Sequence, residues 1–340
     1  MKKELPFIHL ARVSACAAVV LIHTISSNVA SLSKISPFIW WIDNVIDSAI
    51  VWAVPLFIML SGALLLSPKN KETWYAFYRK RFFRIGIPTF FWVIFYYIFF
   101  NLLNNTSISL ISFFKQVIIE QPFMNLYFLF IILELYVLTP FIKSITSSLN
   151  KSQGLYLSIL FLFIGIFWRY QRFVGTMFIP YLGFFLLGYY LREHVIRFDQ
   201  RKILAVYFLV ITSFIAVGTY LFSSHIVYNF NDDFFFYHHT NIFVIASVII
   251  VYLFFKSYNQ ELVTHEKLYK LIKYISNKTL GIYILHWPIR VLFFYFIFGT
   301  KDIIFPIPIN LQIMLFLFLF ISSAILTSIL QKLPLIRYIV

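Results

Sequence analysis

The chain reads as a series of apolar blocks of about twenty residues, separated by short polar segments. Continuous blocks of this length are typical of transmembrane helices, whereas the strands of a membrane barrel would show short alternating patterns. The blocks lie at residues 6–28, 45–66, 84–103, 124–142, 154–170, 173–191, 203–222, 240–256, 278–298 and 310–331. The pattern therefore predicts an all-α fold, a polytopic transmembrane helical bundle of about ten helices.

The polar segments between the blocks are short. The longest contain only about twenty residues, well below the size at which a chain segment builds its own core. We therefore predict one integral-membrane domain over residues 1–340, with any chemistry inside the bundle or at its two faces. The absence of an obvious internal repeat disfavours the transporter folds that are built from inverted repeats.

Composition and charge placement support a membrane protein and predict its orientation. Of the 340 residues, 61% are hydrophobic and 12% are charged, about half the charge of a soluble domain. Because cytoplasmic loops retain lysine and arginine, both termini are predicted to be cytoplasmic. In that orientation the outer segments hold only Lys34, Lys115, Arg169, Arg172 and Lys301. The net charge of +15 therefore reflects topology and does not indicate a nucleic-acid partner.

The first candidate site lies on the first predicted helix, which carries Arg12 and His23. Ionisable residues inside a membrane are costly and commonly face a functional cavity. A separation of eleven residues returns to within about 20° of the same helical face, about 16 Å along the axis. A guanidinium suits fixed anions, and an imidazole can serve as a general base near neutral pH. The alternative is that Arg12 snorkels to the inner surface while His23 bonds a neighbouring helix.

The second candidate site is the basic segment YRKRFFRIGIP at residues 78–88, which enters the third predicted span. Arg81 and Arg84 are three residues apart, so an α-helix would place them on adjacent faces of one turn. Together with Arg79 and Lys80 they form a cationic cluster at the inner membrane surface. The cluster could bind an anionic ligand, anchor the helix, or bind anionic lipids.

Two further spans contain polar residues that need a partner. Glu134, within LYFLFIILELYVLTP, requires a cation, a hydrogen-bond donor or a proton, and an ion pair with Arg12 would serve. His286, within KTLGIYILHWPIR, is followed one turn later by Arg290. Pro288 frees a backbone carbonyl beside it. A histidine that bonds a neighbouring helix fits this segment as well as a catalytic one does.

A metal site is not predicted. His238 and His239 lie near an outer loop beside Asp232 and Asp233. Their spacing matches no established zinc-ligand motif.

Five sequence elements resemble the membrane-bound acyltransferase-3 family, which includes bacterial O-acyltransferases of surface polysaccharides. They occur in the family's order over about residues 5–335, and the chain is similar to the short, single-domain members. The elements are Arg12-x10-His23, PLFIMLSGALL with Ser61 and Gly62, Arg81-x-x-Arg84, LYFLFIILELYVLTP, and LGIYILHWPI with His286. One position departs from the pattern, because His9 stands where many members carry an aspartate.

The resemblance implies transfer of a small acyl group, usually acetyl, at the bacterial cytoplasmic membrane. The donor would be a cytoplasmic acyl-CoA such as acetyl-CoA, used as a co-substrate with no bound cofactor. The acceptor would be a hydroxyl of a surface glycan or lipid-linked saccharide. The expected partners are thus acyl-CoA, the saccharide and membrane lipids.

The resemblance also implies roles for individual residues. His23 is expected to deprotonate the acceptor hydroxyl or to carry the acyl group transiently, and Arg12 to orient the donor or stabilise the oxyanion. The Arg81 and Arg84 pair is expected to bind the phosphates of CoA. Glu134 and His286 are expected to support the same cavity.

A different class of function shares much of this pattern. An exporter or flippase of a polysaccharide, or of its lipid-linked precursor, would also contain about ten helices and a polar cavity. It needs neither a general base nor a CoA site, so saturable binding of acyl-CoA separates the two functions. A scaffold protein would tolerate apolar residues at all of these positions, and the cost of buried charge disfavours it.

Overall fold

The computed structural model describes residues 5–67, 72–118, 125–168, 173–192, 200–224, 234–259, 261–300, 306–334 and 336–340. Throughout these ranges the regular secondary structure is helical, which confirms the predicted helical bundle. Some residues considered above lie outside the described ranges, namely Arg169, Arg172, Asp232, Asp233 and Lys301.

Fifteen α-helices follow one another along the described residues. They are α1 (Pro6–Val29), α2 (Pro37–Ile50), α3 (Ala53–Leu65), α4 (Trp74–Arg81), α5 (Ile87–Leu103), α6 (Leu110–Ile118), α7 (Tyr127–Ser148), α8 (Lys151–Trp168), α9 (Ile179–Leu191), α10 (Gln200–Ser223), α11 (Ile242–Ser257), α12 (Glu261–Thr264), α13 (Glu266–Ser276), α14 (Thr279–Phe298) and α15 (Ile309–Leu330). A π-helical segment at Phe82–Gly86 joins α4 to α5, and short 3-10 helices occur at Phe235–Tyr237 and Ile336–Tyr338.

Nine helical stretches of the described chain are long and apolar enough to cross a membrane. The sixth predicted block corresponds to a shorter apolar helix, Ile179–Leu191. Two spans begin earlier than predicted, at Pro37 and at Trp74. In each, the polar or basic residues before the apolar block are also helical. The prediction of about ten helices therefore corresponds to nine long stretches and one short helix.

The chain forms two compact units. The first comprises Met1–Phe57, His194–Thr279 and Asp302–Ala324. The second comprises Ile58–Glu193, Leu280–Lys301 and Ile325–Val340. Arg12 and His23 belong to the first unit, and the other predicted site residues belong to the second.

In the first unit, α1 and α2 form an antiparallel pair, and α10 packs on α2 and on α11. Pro6 lies in the first turn of α1, where its missing N–H is not needed. At the other end of α1, the indole N–H of Trp40 donates to the carbonyl of Val29 over 2.9 Å. This bond satisfies one of the carbonyl groups that every helix end leaves open.

In the second unit, α8 and α9 pack closely as neighbours in sequence, and α4 packs on α7. Proline at position 288 lies inside α14, where it removes a backbone hydrogen bond. The hydroxyl of Tyr96 donates to the carbonyl of Ile284, four residues before that proline, over 2.7 Å. The carbonyl that the proline frees is thus satisfied by a side chain of α5.

Candidate functional site

Arg12 and His23 lie on one uninterrupted helix. Arg12 is six residues after the first residue of α1, and His23 is six residues before its last. Both side chains are half-buried. The regular helix preserves the common face expected from their spacing, about 16 Å apart along the axis, and the two catalytic roles stay predictions.

The first unit also accommodates the unusual histidine near the start of α1. The Nδ1 atom of His9 lies 3.0 Å from the hydroxyl of Ser276, at the end of α13. Its ring makes an edge contact with Tyr269, with 6.0 Å between the ring centroids. His9 therefore connects α1 to α13.

Arg81, in the second unit, is packed rather than open. Its side chain is buried, and its guanidinium carbon lies 4.8 Å from the ring centroid of Phe77 and 5.9 Å from that of Tyr136. The carboxylate of Glu72 lies 3.9 Å away. A guanidinium held between aromatic rings and a carboxylate is strongly positioned, so Arg81 contributes to the structure of this corner.

Arg84 has a different environment, although it is only three residues further on. It lies in the π-helical segment Phe82–Gly86, and its side chain is exposed. Among the described residues it has no hydrogen-bond or ion-pair partner. Short π-helical turns of this kind are frequent at functional sites. The two arginines of the predicted pair therefore lie in different environments, since Arg81 is buried and Arg84 is exposed.

Glu134 accepts backbone hydrogen bonds at the beginning of α9. One carboxylate oxygen accepts from the N–H of Gly175 over 2.6 Å, and the other from the N–H of Phe178 over 2.9 Å. Phe178 is the residue that precedes the first turn of α9. Free N–H groups at a helix start attract negative charge. The geometry therefore gives Glu134 a structural role in the segment before α9.

Removing the Glu134 carboxylate is expected to destabilise the second unit. Glu134→Ala leaves two backbone donors without their acceptor, and we expect a loss of about 1–3 kcal/mol. Glu134→Gln keeps one acceptor oxygen and should lose less. Thermal unfolding of the purified protein in detergent measures the difference. Glu266→Gln, at an exposed site on α13, is the matched control, and equal melting of Glu134→Ala and the wild type would contradict the structural role.

His286 and Arg290 are both buried within the second unit. The side chain of His286 is fully buried, and its Nδ1 lies 3.1 Å from the carbonyl of Ile282. Since a carbonyl can only accept, this ring nitrogen carries the proton. The guanidinium of Arg290, which is 1% exposed, lies 5.1 Å from the ring centroid of Trp287 and 4.8 Å from that of Phe294. These contacts favour local anchoring of both side chains.

A group of buried polar side chains on α2 was not predicted from the sequence. The α2 polar cluster consists of four residues, which are Asp43, Asn44, Asp47 and Ser48. All four are buried, although they lie on a candidate membrane span. The signal that could have revealed them is the recurrence of aspartate at positions i and i+4, which places both carboxylates on one helical face.

Neighbouring elements of the first unit hold this cluster in place. One carboxylate oxygen of Asp43 accepts from the side-chain amides of Asn28, over 2.7 Å, and Gln312, over 2.8 Å. The amide of Asn44 donates to the carbonyl of Ala216 over 2.9 Å. The cluster is therefore part of a fixed network that joins α1, α2, α10 and α15.

The fold and its polar side chains describe a helical membrane protein with ionisable groups inside its units and an open arginine on a π turn. Residues 5–332 match the family model described as an acyltransferase domain, that of the acyltransferase-3 family. The chain therefore belongs to this family of membrane acyltransferases. Searches of curated proteins and of solved structures returned no match.

Proposed function

We propose that the protein is an O-acyltransferase that moves an acetyl or similar small acyl group from cytoplasmic acyl-CoA to a hydroxyl of a surface or lipid-linked glycan. The location would be a bacterial cytoplasmic membrane. The observation that carries the proposal is the family match over residues 5–332. Arg12 and His23 on one face of α1 supply the groups that such a reaction needs.

The proposed reaction exchanges a thioester for an oxygen ester. The acceptor hydroxyl attacks the carbonyl carbon of the thioester while His23 removes the hydroxyl proton. The guanidinium of Arg12, about 16 Å from His23 along the helix axis, orients the anionic donor. The carbon–sulfur bond then breaks, the glycan ester forms, and the CoA sulfur leaves and takes up a proton. A transient acyl group on His23 would divide this step into two.

Binding of the donor is assigned to the basic segment at α4 and the π turn. Arg84 is exposed and has no partner among the described residues, so its guanidinium can form paired hydrogen bonds with a CoA phosphate. Arg81 is already held by Phe77, Tyr136 and Glu72. We assign phosphate contact to Arg84 and the positioning of the basic segment to Arg81.

Replacing Arg84 with alanine is expected to weaken binding of acetyl-CoA about tenfold or more, because a bidentate, charge-assisted contact is lost. Titration of the purified protein with acetyl-CoA measures the dissociation constant. Arg84→Lys, which keeps the charge but not the fork, should retain part of the affinity. Arg79→Ala, at an exposed site in the same segment, is the matched control for general loss of positive charge.

Two outcomes of this titration would contradict the assignment. Equal weakening in the Arg79 and Arg84 variants would mean that only the overall charge matters. A wild-type protein that does not bind acetyl-CoA saturably would reject the transferase and favour export of a saccharide.

A further inference from the structure

The α2 polar cluster lies near the ends of helices that the charge distribution places toward the outer face. Asn28 is next to the last residue of α1, and Gln312 is in the first turn of α15. Asp43 is six residues after the start of α2, or about 9 Å along the axis. A ligand for this cluster would therefore enter from the outer side, where acyl-CoA is absent and glycans are present.

One carboxylate oxygen of Asp43 lacks a hydrogen-bond donor among the described residues. The side chain is fully buried. One oxygen accepts the two amide bonds, while the Oδ1 atom has no hydrogen-bond partner in the described part of the chain. An ionised carboxylate needs a donor at that atom, and a protonated one needs an acceptor. Neither state is satisfied by the described residues, and such a group is costly to bury. A ligand that donates to Oδ1 removes this cost.

Asp47 presents a second open carboxylate on the same face, one turn further along α2. Its side chain is 7% exposed, and no described residue forms a hydrogen bond or ion pair with it. The remaining members of the cluster have partners on other elements. The hydroxyl of Tyr237 bonds the side chain of Asn44 and lies 3.5 Å from that of Ser48, and the amide of Asn44 also donates to Ala216. The fold thus fixes two buried carboxylates that the described side chains leave without a charged partner.

The chemistry of the cluster favours a saccharide over a metal ion. Calcium takes six to eight oxygen ligands, whereas the described residues contain no group of three or more histidine, cysteine, aspartate or glutamate side chains that could hold a metal. Amide N–H groups already occupy the second oxygen of Asp43. Sugar hydroxyls donate hydrogen bonds, which open carboxylates accept.

We propose that Asp43 and Asp47 bind hydroxyl groups of the acceptor saccharide, which enters from the outer face. This inference rests on the proposed function and names the subsite for its second substrate. Because Asn28 contacts Asp43, the antiparallel pairing of α1 and α2 places His23 and Asp47 at a similar depth, each about 6–8 Å further into the membrane. A hydroxyl held at Asp47 is thereby presented at the level of the proposed base.

The test uses Asp47→Asn in the full-length purified protein, with glycan extracted from the host membranes as acceptor and radiolabelled acetyl-CoA as donor. We expect the KM for glycan to rise at least tenfold, while the dissociation constant for acetyl-CoA stays unchanged. Asp43→Asn should behave similarly where it folds, and Glu266→Gln on α13 is the control carboxylate. An unchanged KM for glycan in Asp47→Asn would overturn the proposal.

A binding measurement separates this proposal from the transferase itself. Thermal shifts are recorded with methyl glycosides of glucose, galactose and N-acetylglucosamine, and separately with sodium and calcium chloride. We expect a stabilising shift by at least one glycoside that Asp47→Asn abolishes, whether or not the wild type binds acetyl-CoA. Shifts by a cation alone, lost in Asp47→Asn, or no shift by any glycoside would overturn the saccharide subsite.

Discussion

Replacing His23 with alanine is expected to lower acyl transfer to glycan at least 100-fold. General base catalysis by a positioned side chain typically contributes two to four orders of magnitude, and α1 provides no second imidazole at that depth. His23 is half-buried in a regular helix where alanine is well tolerated. The loss should therefore appear in kcat, with the amount of folded protein and the affinity for acetyl-CoA close to those of the wild type.

The measurement is incorporation of radiolabelled acetyl groups into membrane glycan by purified protein. Arg12→Ala should also lower kcat, and Arg12→Lys should recover only part of it, because an ammonium lacks the planar fork of a guanidinium. His265→Ala, at an exposed position before α13, is the matched histidine control. Incorporation at the wild-type rate in His23→Ala would reject the catalytic role and with it the proposed chemistry of α1.

The helices could be predicted because the length of an apolar block is set by the thickness of the membrane. The beginning of the second span shows the limit of this reasoning. Its apolar block starts near residue 45, whereas the helix begins at Pro37 and contains Asp43 and Asn44 as buried residues. Polar positions do not count toward an apolar block, so the predicted span began after Asp43 and Asn44, and the face shared by Asp43 and Asp47 was not recognised.

The site residues show a second limit, since sequence spacing carries no information about backbone partners or irregular turns. The interval between Arg81 and Arg84 predicts neighbours on an α-helix, but the π segment separates a packed side chain from an open one. Glu134 was predicted to need a cation, a hydrogen-bond donor or a proton, and the spacing could not show that its donors are backbone N–H groups of the segment before α9. Those donors exist only once the chain has folded.

Replacing Gly62 with alanine is expected to destabilise the protein severely, by about 3 kcal/mol or more. A Cβ atom at Gly62 of α3 would lie 1.7 Å from the backbone carbonyl oxygen of Phe185 on α9. At the same crossing, a Cβ at Gly188 would lie 2.0 Å from the backbone oxygen of Met59. Backbone atoms cannot turn aside as a flexible side chain can, so the two helices would have to separate. Close helix contacts in membranes depend on such small residues.

Thermal unfolding followed by size-exclusion chromatography in detergent measures this effect. Gly86→Ala is the matched control, because a Cβ there meets only the exposed ring of Phe82, at 2.9 Å, and that ring can move. Gly62→Ala and Gly188→Ala should melt well below both the control and the wild type, and melting at the wild-type temperature would contradict the crossing of α3 and α9. The backbone of Phe185 occupies the space that a Cβ at Gly62 would need, so helix packing accounts for glycine at this position of the Ser61-Gly62 element. One of the five elements that resemble the acyltransferase-3 family thus contains a residue, Gly62, that is needed for the packing of α3 on α9.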